Sequence, residues 1–99
     1  MNRKKIVLND LVDGTSTNAN ALPFFMELKQ ALAEGLELEV SFEGCPAPSS
    51  SFLNSSIGEI LDTYGYDRFK QYIRLTHLRP TAANILKEYI LGFKNMETH

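Results

Sequence analysis

The sequence lacks several features that would point to common functions. It has no tryptophan and a single cysteine, Cys45, so an internal disulfide is impossible and a reducing compartment is favoured. No apolar run approaches the roughly 20 residues of a membrane span, and no segment resembles a signal peptide. The formal net charge is −2, which argues against a nucleic-acid surface rich in lysine and arginine. These absences predict a cytosolic protein that binds neither membranes nor nucleic acids.

Motifs of metal, cofactor and nucleotide sites are also missing. No cluster of metal-ligand residues occurs, and the polar stretch GTSTN at residues 14–18 contains no phosphate-binding glycine pattern. Cys45 and His77 are a conceivable nucleophile and base, but no spacing signature connects them. We therefore expect no cofactor and no enzymatic activity. The alternative is a small hydrolase or transferase that uses Cys45 or a loop serine.

The order of apolar patterns predicts one α/β domain over residues 1–99, with a frayed tail at 93–99. Strands are predicted at 6–8, 36–42 and 71–77, and helices at 21–34, at 52–64 and after residue 81. This βαβαβα order implies a short, mainly parallel sheet flanked by helices. Because the first strand is continuously apolar and the other two alternate, the expected strand order is 2-1-3.

Helical periodicity predicts which side chains are buried. The first helix, with Asn20 as its N-cap, is expected to bury Leu22, Phe25, Leu28 and Leu32, and Gly35 should end it. In the second helix, Gly58 is expected to permit a close backbone approach. A capping box at residues 56–59 would instead start that helix one turn later. The predicted shared core consists of Val7, Phe25, Leu28, Phe42, Leu53, Ile57 and Leu61.

The chain is organised around the segment EGCPAPSSSFLN at residues 43–54, which connects the second strand to the second helix. Pro46 and Pro48 fix two backbone φ angles and remove two donors, so the loop should be stiff. Three serines follow at 49–51, where one can cap the helix and the others are left exposed. The segment is therefore the predicted functional surface.

The motifs VSFEG at 40–44, PSSSFLN at 48–54, IG at 57–58 and YG at 64–65 resemble the STAS-like domain of small bacterial regulatory proteins, which is related to the anti-sigma-factor antagonist fold. In typical antagonists a serine at the start of this helix is phosphorylated by a kinase-type anti-sigma factor. The resemblance places that serine at Ser50, with Ser51 next. Ser49 stands where the family has aspartate, and Phe52 where it has glycine.

The resemblance implies a signalling module that docks a partner protein, such as a histidine-kinase-like ATPase, through residues 44–56. The partner-binding residues would be Glu43, Gly44, Ser49, Ser50, Ser51, Asn54 and Ser55. The family's N-terminal hairpin and final strand are reduced here, which implies that a partner or a second copy covers a sheet edge. A third hypothesis is accordingly a structural subunit that pairs through that edge.

Overall fold

The computed structural model describes residues 3–97, with side chains up to residue 93. In chain order its elements are β1 (Arg3–Val7), α1 (Leu8–Leu11), α2 (Asn18–Glu34), β2 (Glu37–Ser41), α3 (Ser50–Asn54), α4 (Ile57–Tyr64), α5 (Tyr66–Tyr72), β3 (Ile73–Thr76) and α6 (Pro80–Glu97). The predicted α/β class, a small parallel sheet flanked by helices, is confirmed. Of the expected frayed tail, residues 93–97 are helical and residues 98–99 lie outside the described chain. No helix within residues 3–97 is long and apolar enough to cross a membrane.

The three strands are all parallel, and their order is β1-β2-β3 rather than the expected 2-1-3. The central strand β2 tolerates its alternating pattern because only one face of the sheet is covered. Leu38 and Val40 are buried under the helices, whereas Glu37 and Glu39 are half-exposed on the other face. We call that second face the open sheet face; its charged residues are Arg3, Lys5, Glu37, Glu39 and Arg74.

Strand β1 is an edge strand that begins earlier than predicted, at Arg3. Ile6 packs against the core, whereas Val7, which was expected in the core, is half-buried and belongs to the opposite face. Leu8, expected at the strand end, begins α1 and is fully buried. Successive strand residues face opposite sides, so Val7 would be buried in the core only if both faces of the sheet were covered, and here one face is open.

Helix α2 begins at Asn18, three residues before the expected start, and its N-cap is Thr17 rather than Asn20. Thr17 Oγ1 accepts a hydrogen bond from the Asn20 backbone N–H at 3.2 Å. The buried side consists of Ala21, Phe24, Leu28, Ala31 and Leu32. Leu22 is 60% exposed, so the predicted stripe was wrong at this position, whereas Phe25 is half-buried and packs against the edge of the core. Gly35 ends the helix with φ 65°, as expected.

The predicted second helix is divided into α3 and α4 at Ser55 and Ser56. Ser56 is fully buried, and its hydroxyl donates to the carbonyl of Phe52 at 2.7 Å instead of capping α4. The capping box is therefore not formed. Gly58 permits a close approach, as predicted, because a Cβ at this position would overlap the hydroxyl of Tyr89 on α6.

One hydrophobic core lies between the helices and the covered sheet face. The predicted core residues Leu28, Phe42, Leu53, Ile57 and Leu61 all belong to it. Helix α6 contributes Leu86, and strand β3 contributes Ile73. This core supports the carboxyl ends of the strands, where the loops of the candidate site converge.

Candidate functional site

The loop that follows β2 leaves the sheet through a tight turn. The backbone N–H of Phe42 donates to the Thr76 carbonyl at 2.9 Å, and the N–H of Cys45 donates to the Phe42 carbonyl at 3.0 Å. Gly44 has φ 78°, and a Cβ there would lie 3.1 Å from the side-chain nitrogen of Asn9 in α1. The turn needs a residue that accepts positive φ beside a close neighbour, which favours glycine.

A second loop, formed by residues 12–17, holds in place the loop of residues 42–49, which we call the serine-rich loop because it leads into Ser49, Ser50 and Ser51. The N–H of Ser49 donates to the Thr15 carbonyl at 2.9 Å, and its hydroxyl donates to the Ser16 carbonyl at 2.9 Å. The Thr15 hydroxyl donates in return to the Pro46 carbonyl at 3.3 Å. Thr15 is 2% exposed, so the loop of residues 12–17 is packed against the loop that follows β2 and clamps it in place.

The three serines differ in what their hydroxyls do. Ser49 is the N-cap of α3, because its Oγ accepts a hydrogen bond from the Phe52 N–H at 3.1 Å while donating to the second loop. Ser50 and Ser51 are exposed in the first turn, and neither hydroxyl is hydrogen-bonded to another described residue. Capping therefore occupies one serine and leaves two directed to solvent.

The other predicted partner-binding residues lie at the same end of the molecule. Glu43 and Gly44 are exposed before the loop, and Ser55 is half-buried at the C-cap of α3. Asn54 is exposed, and its Oδ1 accepts a hydrogen bond of 2.7 Å from the Tyr89 hydroxyl. Burial, and secondarily the charge of Glu59, raises the pKa of Tyr89 above its ordinary value. The end of α3 is thus connected to α6.

Aromatic packing holds the buried side of α3 against α2. Phe52 is fully buried, and its ring stacks on Phe24 of α2 at 5.9 Å between centroids with an interplanar angle of 19°. Phe24 also meets Phe42 edge-on at 6.3 Å. Although α3 has only five residues, this packing orients Ser50 and Ser51 because neighbouring Phe52 cannot turn outward without exposing its ring.

Cys45 and His77 lie in different surroundings. Cys45 is 6% exposed, and burial raises the pKa of its thiol, so the thiol stays protonated near neutral pH. It borders a groove with Pro46, Ala47 and Arg79. His77 is exposed at the end of β3, and its Nδ1 lies 3.1 Å from Ser41 Oγ and 3.2 Å from Thr76 Oγ1. The histidine is therefore directed toward two hydroxyls and not toward the thiol.

The contact between Ser41 and His77 had no sequence signal. Ser41 is 1% exposed, and its Oγ also accepts a hydrogen bond from the Glu43 N–H at 3.3 Å. His77 has φ 56°, a left-handed conformation that is uncommon for residues other than glycine. The pair connects the ends of β2 and β3 directly beneath the turn at Gly44. Within residues 3–97 no group of three or more histidine, cysteine, aspartate or glutamate residues is arranged to hold a metal ion.

Comparison with known protein families gives a match that covers the candidate site. A family model described as a STAS-like domain of unknown function (DUF4325) matches residues 20–83, well over half of the chain. The matched region begins in α2, contains the whole serine-rich loop with α3, and ends in the first turn of α6. No curated protein and no solved structure matches the chain.

Proposed function

The chain belongs to the STAS-like family, and on this premise we propose that it is a regulatory signalling module that docks a partner protein and is not an enzyme. The docking surface is the segment from Gly44 to Ser56, with Glu43 at its margin. The proposal is carried by the different environments of the three serines. Ser49 caps α3, whereas Ser50 and Ser51 are exposed in the first turn of that anchored helix. Loops held by a rigid scaffold are common positions for recognition residues.

Preorganisation supports docking at this loop. Two prolines restrict its backbone, and the clamp from Thr15 and Ser16 supplies the hydrogen bonds that the loop cannot make by itself. A surface that is already ordered loses little conformational entropy when a partner binds. A partner can therefore bind the loop in the conformation that it already has in the free protein.

Phosphorylation of Ser50, or secondarily of Ser51, is the proposed switch. A phosphate would add close to two negative charges at pH 7, next to a surface that already carries Glu43. Phe52 is anchored against Phe24, so the added charge is expected to change docking rather than the fold. Mapping of phosphorylation sites by mass spectrometry tests this step; modification confined to Thr15 or Thr17 would contradict it.

The proposed partner is a histidine-kinase-like ATPase of the cytosol, because STAS antagonists are phosphorylated by kinase-type anti-sigma factors. Two positions depart from the typical motif. Ser49 replaces aspartate, and serine serves equally well as an N-cap. Phe52 replaces glycine and is used as a core anchor. Neither change covers Ser50.

The test begins with capture of the partner from the native cell and its identification by mass spectrometry. Binding of the purified partner is then measured by calorimetry for wild type, Ser50→Asp and Ser50→Arg, with Lys87→Ala on α6 as a surface control. Both Ser50 variants should keep the wild-type circular dichroism and melting curve and should weaken binding, because a bulky or charged group enters the interface. Wild-type affinity in Ser50→Arg would overturn the proposal.

Pairing through a sheet edge is a second candidate, favoured by one observation. Among residues 3–97, β1 and β3 each pair only with β2, so each strand leaves one edge free. Edge strands are templates for pairing with another chain. If β3 pairs with a second copy, size-exclusion chromatography with mass measurement should show a dimer that Arg74→Pro dissociates. A monomer in both cases would exclude this mode.

A further inference from the structure

Charge is distributed unevenly along this chain. It carries 22 charged residues among 99, yet residues 14–26 and residues 44–58 contain none. These two segments are the longest uncharged stretches of the sequence. Nothing in the local secondary structure demands this, because the segments include loops and helix surface that normally carry charge.

The fold brings the two segments together. Ser49 is hydrogen-bonded to Thr15 and Ser16, and Phe52 stacks on Phe24, so both segments occupy the same end of the molecule. We call their exposed surface the charge-free face. On the loop and α3 it presents Pro46, Ala47 and the hydroxyls of Ser50 and Ser51, and on the outward side of α2, away from Phe24, it presents Leu22 and Met26.

Large apolar side chains are concentrated on this face. Among the described residues only Leu22, Met26 and Leu91 are large hydrophobics with extensive exposure, and the first two, 60% and 54% exposed, lie one turn apart on α2. Protein interfaces are distinguished by depletion of charge at their centre, together with well-placed apolar anchors. The charge-free face has both properties, whereas in the part of α6 whose side chains are described Leu91 is the one large hydrophobic with extensive exposure.

The border of the charge-free face indicates what binds there. The charged residues directly next to the two segments are all acidic: Asp13, Glu27, Glu43 and Glu59. Glu27 is paired with Lys4 at 2.9 Å, and the other three form no salt bridge with a described residue. Two cations are also near: Lys29, three residues after Met26 on the exposed side of α2 and 6.0 Å from the Phe25 ring, and Arg79, across the groove from Cys45. The unpaired charges that adjoin the two segments in the sequence are negative.

We propose that the charge-free face is the docking surface for a partner protein that presents an apolar knob surrounded by lysine or arginine. Leu22 and Met26 would pack against the knob, and Asp13 and Glu43 would face the basic surround. A second copy of this chain fits less well, because it would place the same carboxylates against one another. This inference rests on the proposed docking function and adds α2 and the chemistry of the partner to it.

Two synthetic amphipathic helical peptides test the proposal. They carry the same leucines, with lysines on the polar face of one and glutamates on that of the other. In a titration followed by ¹⁵N–¹H NMR, the lysine peptide should shift the amides of residues 14–26 and 44–58, and the glutamate peptide should not. The double variant Leu22→Ser/Met26→Gln should weaken binding about tenfold or more, whereas the control Leu91→Ser should bind as wild type does. The double variant Asp13→Asn/Glu43→Gln should reduce the preference for the lysine peptide.

Several outcomes would overturn the proposal. Shifts confined to other surfaces, equal binding of the two peptides, or no shift with either peptide would each show that this face does not select such a partner. Failure here is separable from failure of the proposed function. If the captured native partner tolerates Leu22→Ser/Met26→Gln but not Ser50→Arg, α2 is not part of the interface and docking at the serines still stands. If it tolerates Ser50→Arg, the proposed function itself fails.

Discussion

The charge-free face and the open sheet face are both in solvent, but they use their polar groups in opposite ways. On the open sheet face, charged residues of neighbouring strands form ion pairs: Arg3 lies 3.9 Å from Glu37, and Lys5 lies 3.7 Å from Glu39. On the charge-free face, two hydroxyls and two large apolar side chains have no comparable partners in the described chain. A partner would have to desolvate paired charges on the first surface but only neutral groups on the second.

The comparison also explains why a parallel sheet can leave one side uncovered. Parallel sheets are normally covered on both faces and are apolar on both. Here β2 alternates between leucine or valine and glutamate, and the glutamates are neutralised by cations of the adjacent edge strand. The open sheet face therefore needs no covering element, whereas the charge-free face remains available for one.

The largest effect is expected where the charge-free face meets the core. Phe52→Ala removes a fully buried ring that stacks on Phe24, and it should lower the free energy of unfolding by about 3–5 kcal/mol. Chemical denaturation measures this. Ile57→Ala, at another fully buried position, should cost about 2–5 kcal/mol. An unchanged denaturation midpoint in either variant would show that α3 and α4 do not lie as described.

A smaller effect is expected at the junction between α4 and α6. Gly58→Ala should destabilise the protein by about 1–3 kcal/mol, because the new methyl group overlaps the Tyr89 hydroxyl. Removing that hydroxyl in Tyr89→Phe provides the control. The double variant should be more stable than the sum of the two single changes implies, since the overlap is relieved. Strict additivity in denaturation curves would mean that the two side chains do not meet.

The serines of the charge-free face offer a matched comparison of smaller size. Ser49→Ala removes the cap of α3 and the bond to Ser16, and it should cost about 0.5–2 kcal/mol. Ser50→Ala and Ser51→Ala should each change stability by less than about 0.5 kcal/mol, because both hydroxyls point to solvent. Thermal melts of the three variants check the assignment; equal losses at all three positions would remove the distinction between a structural and a free serine.

The smallest effect is expected on the open sheet face. Lys5→Ala should cost about 0.2–1 kcal/mol, because its ion pair with Glu39 is largely exposed and screened by solvent. That cost should shrink further as salt is added. Denaturation at low and high ionic strength measures both quantities. The open sheet face is not the proposed docking surface, so Lys5→Ala should bind the native partner as wild type does. Weaker binding in this variant would contradict the contrast between the two regions.

Local patterns determined much of this protein. The alternation of strands and helices, the glycine at 35 that ends α2, and the apolar stripe of α4 depend on residues close in sequence, and all were predicted. The VSFEG and PSSSFLN motifs were sufficient to indicate the STAS-like family, which the match over residues 20–83 then showed.

Tertiary packing decided the rest, because it joins residues that lie far apart along the chain. The side of α2 that faces inward depends on Phe24 meeting Phe52, so the sequence period alone placed Leu22 inside when it lies outside. The strand order depends on which sheet face the helices cover, because β2 can be central only if Leu38 and Val40 are buried while Glu37 and Glu39 lie on the open sheet face. The free state of Ser50 depends on Ser49 being held by a carbonyl 33 residues away. Sequence periodicity predicts which side of a helix or strand is apolar. Which element packs against that side is decided only when the folded chain brings distant segments together.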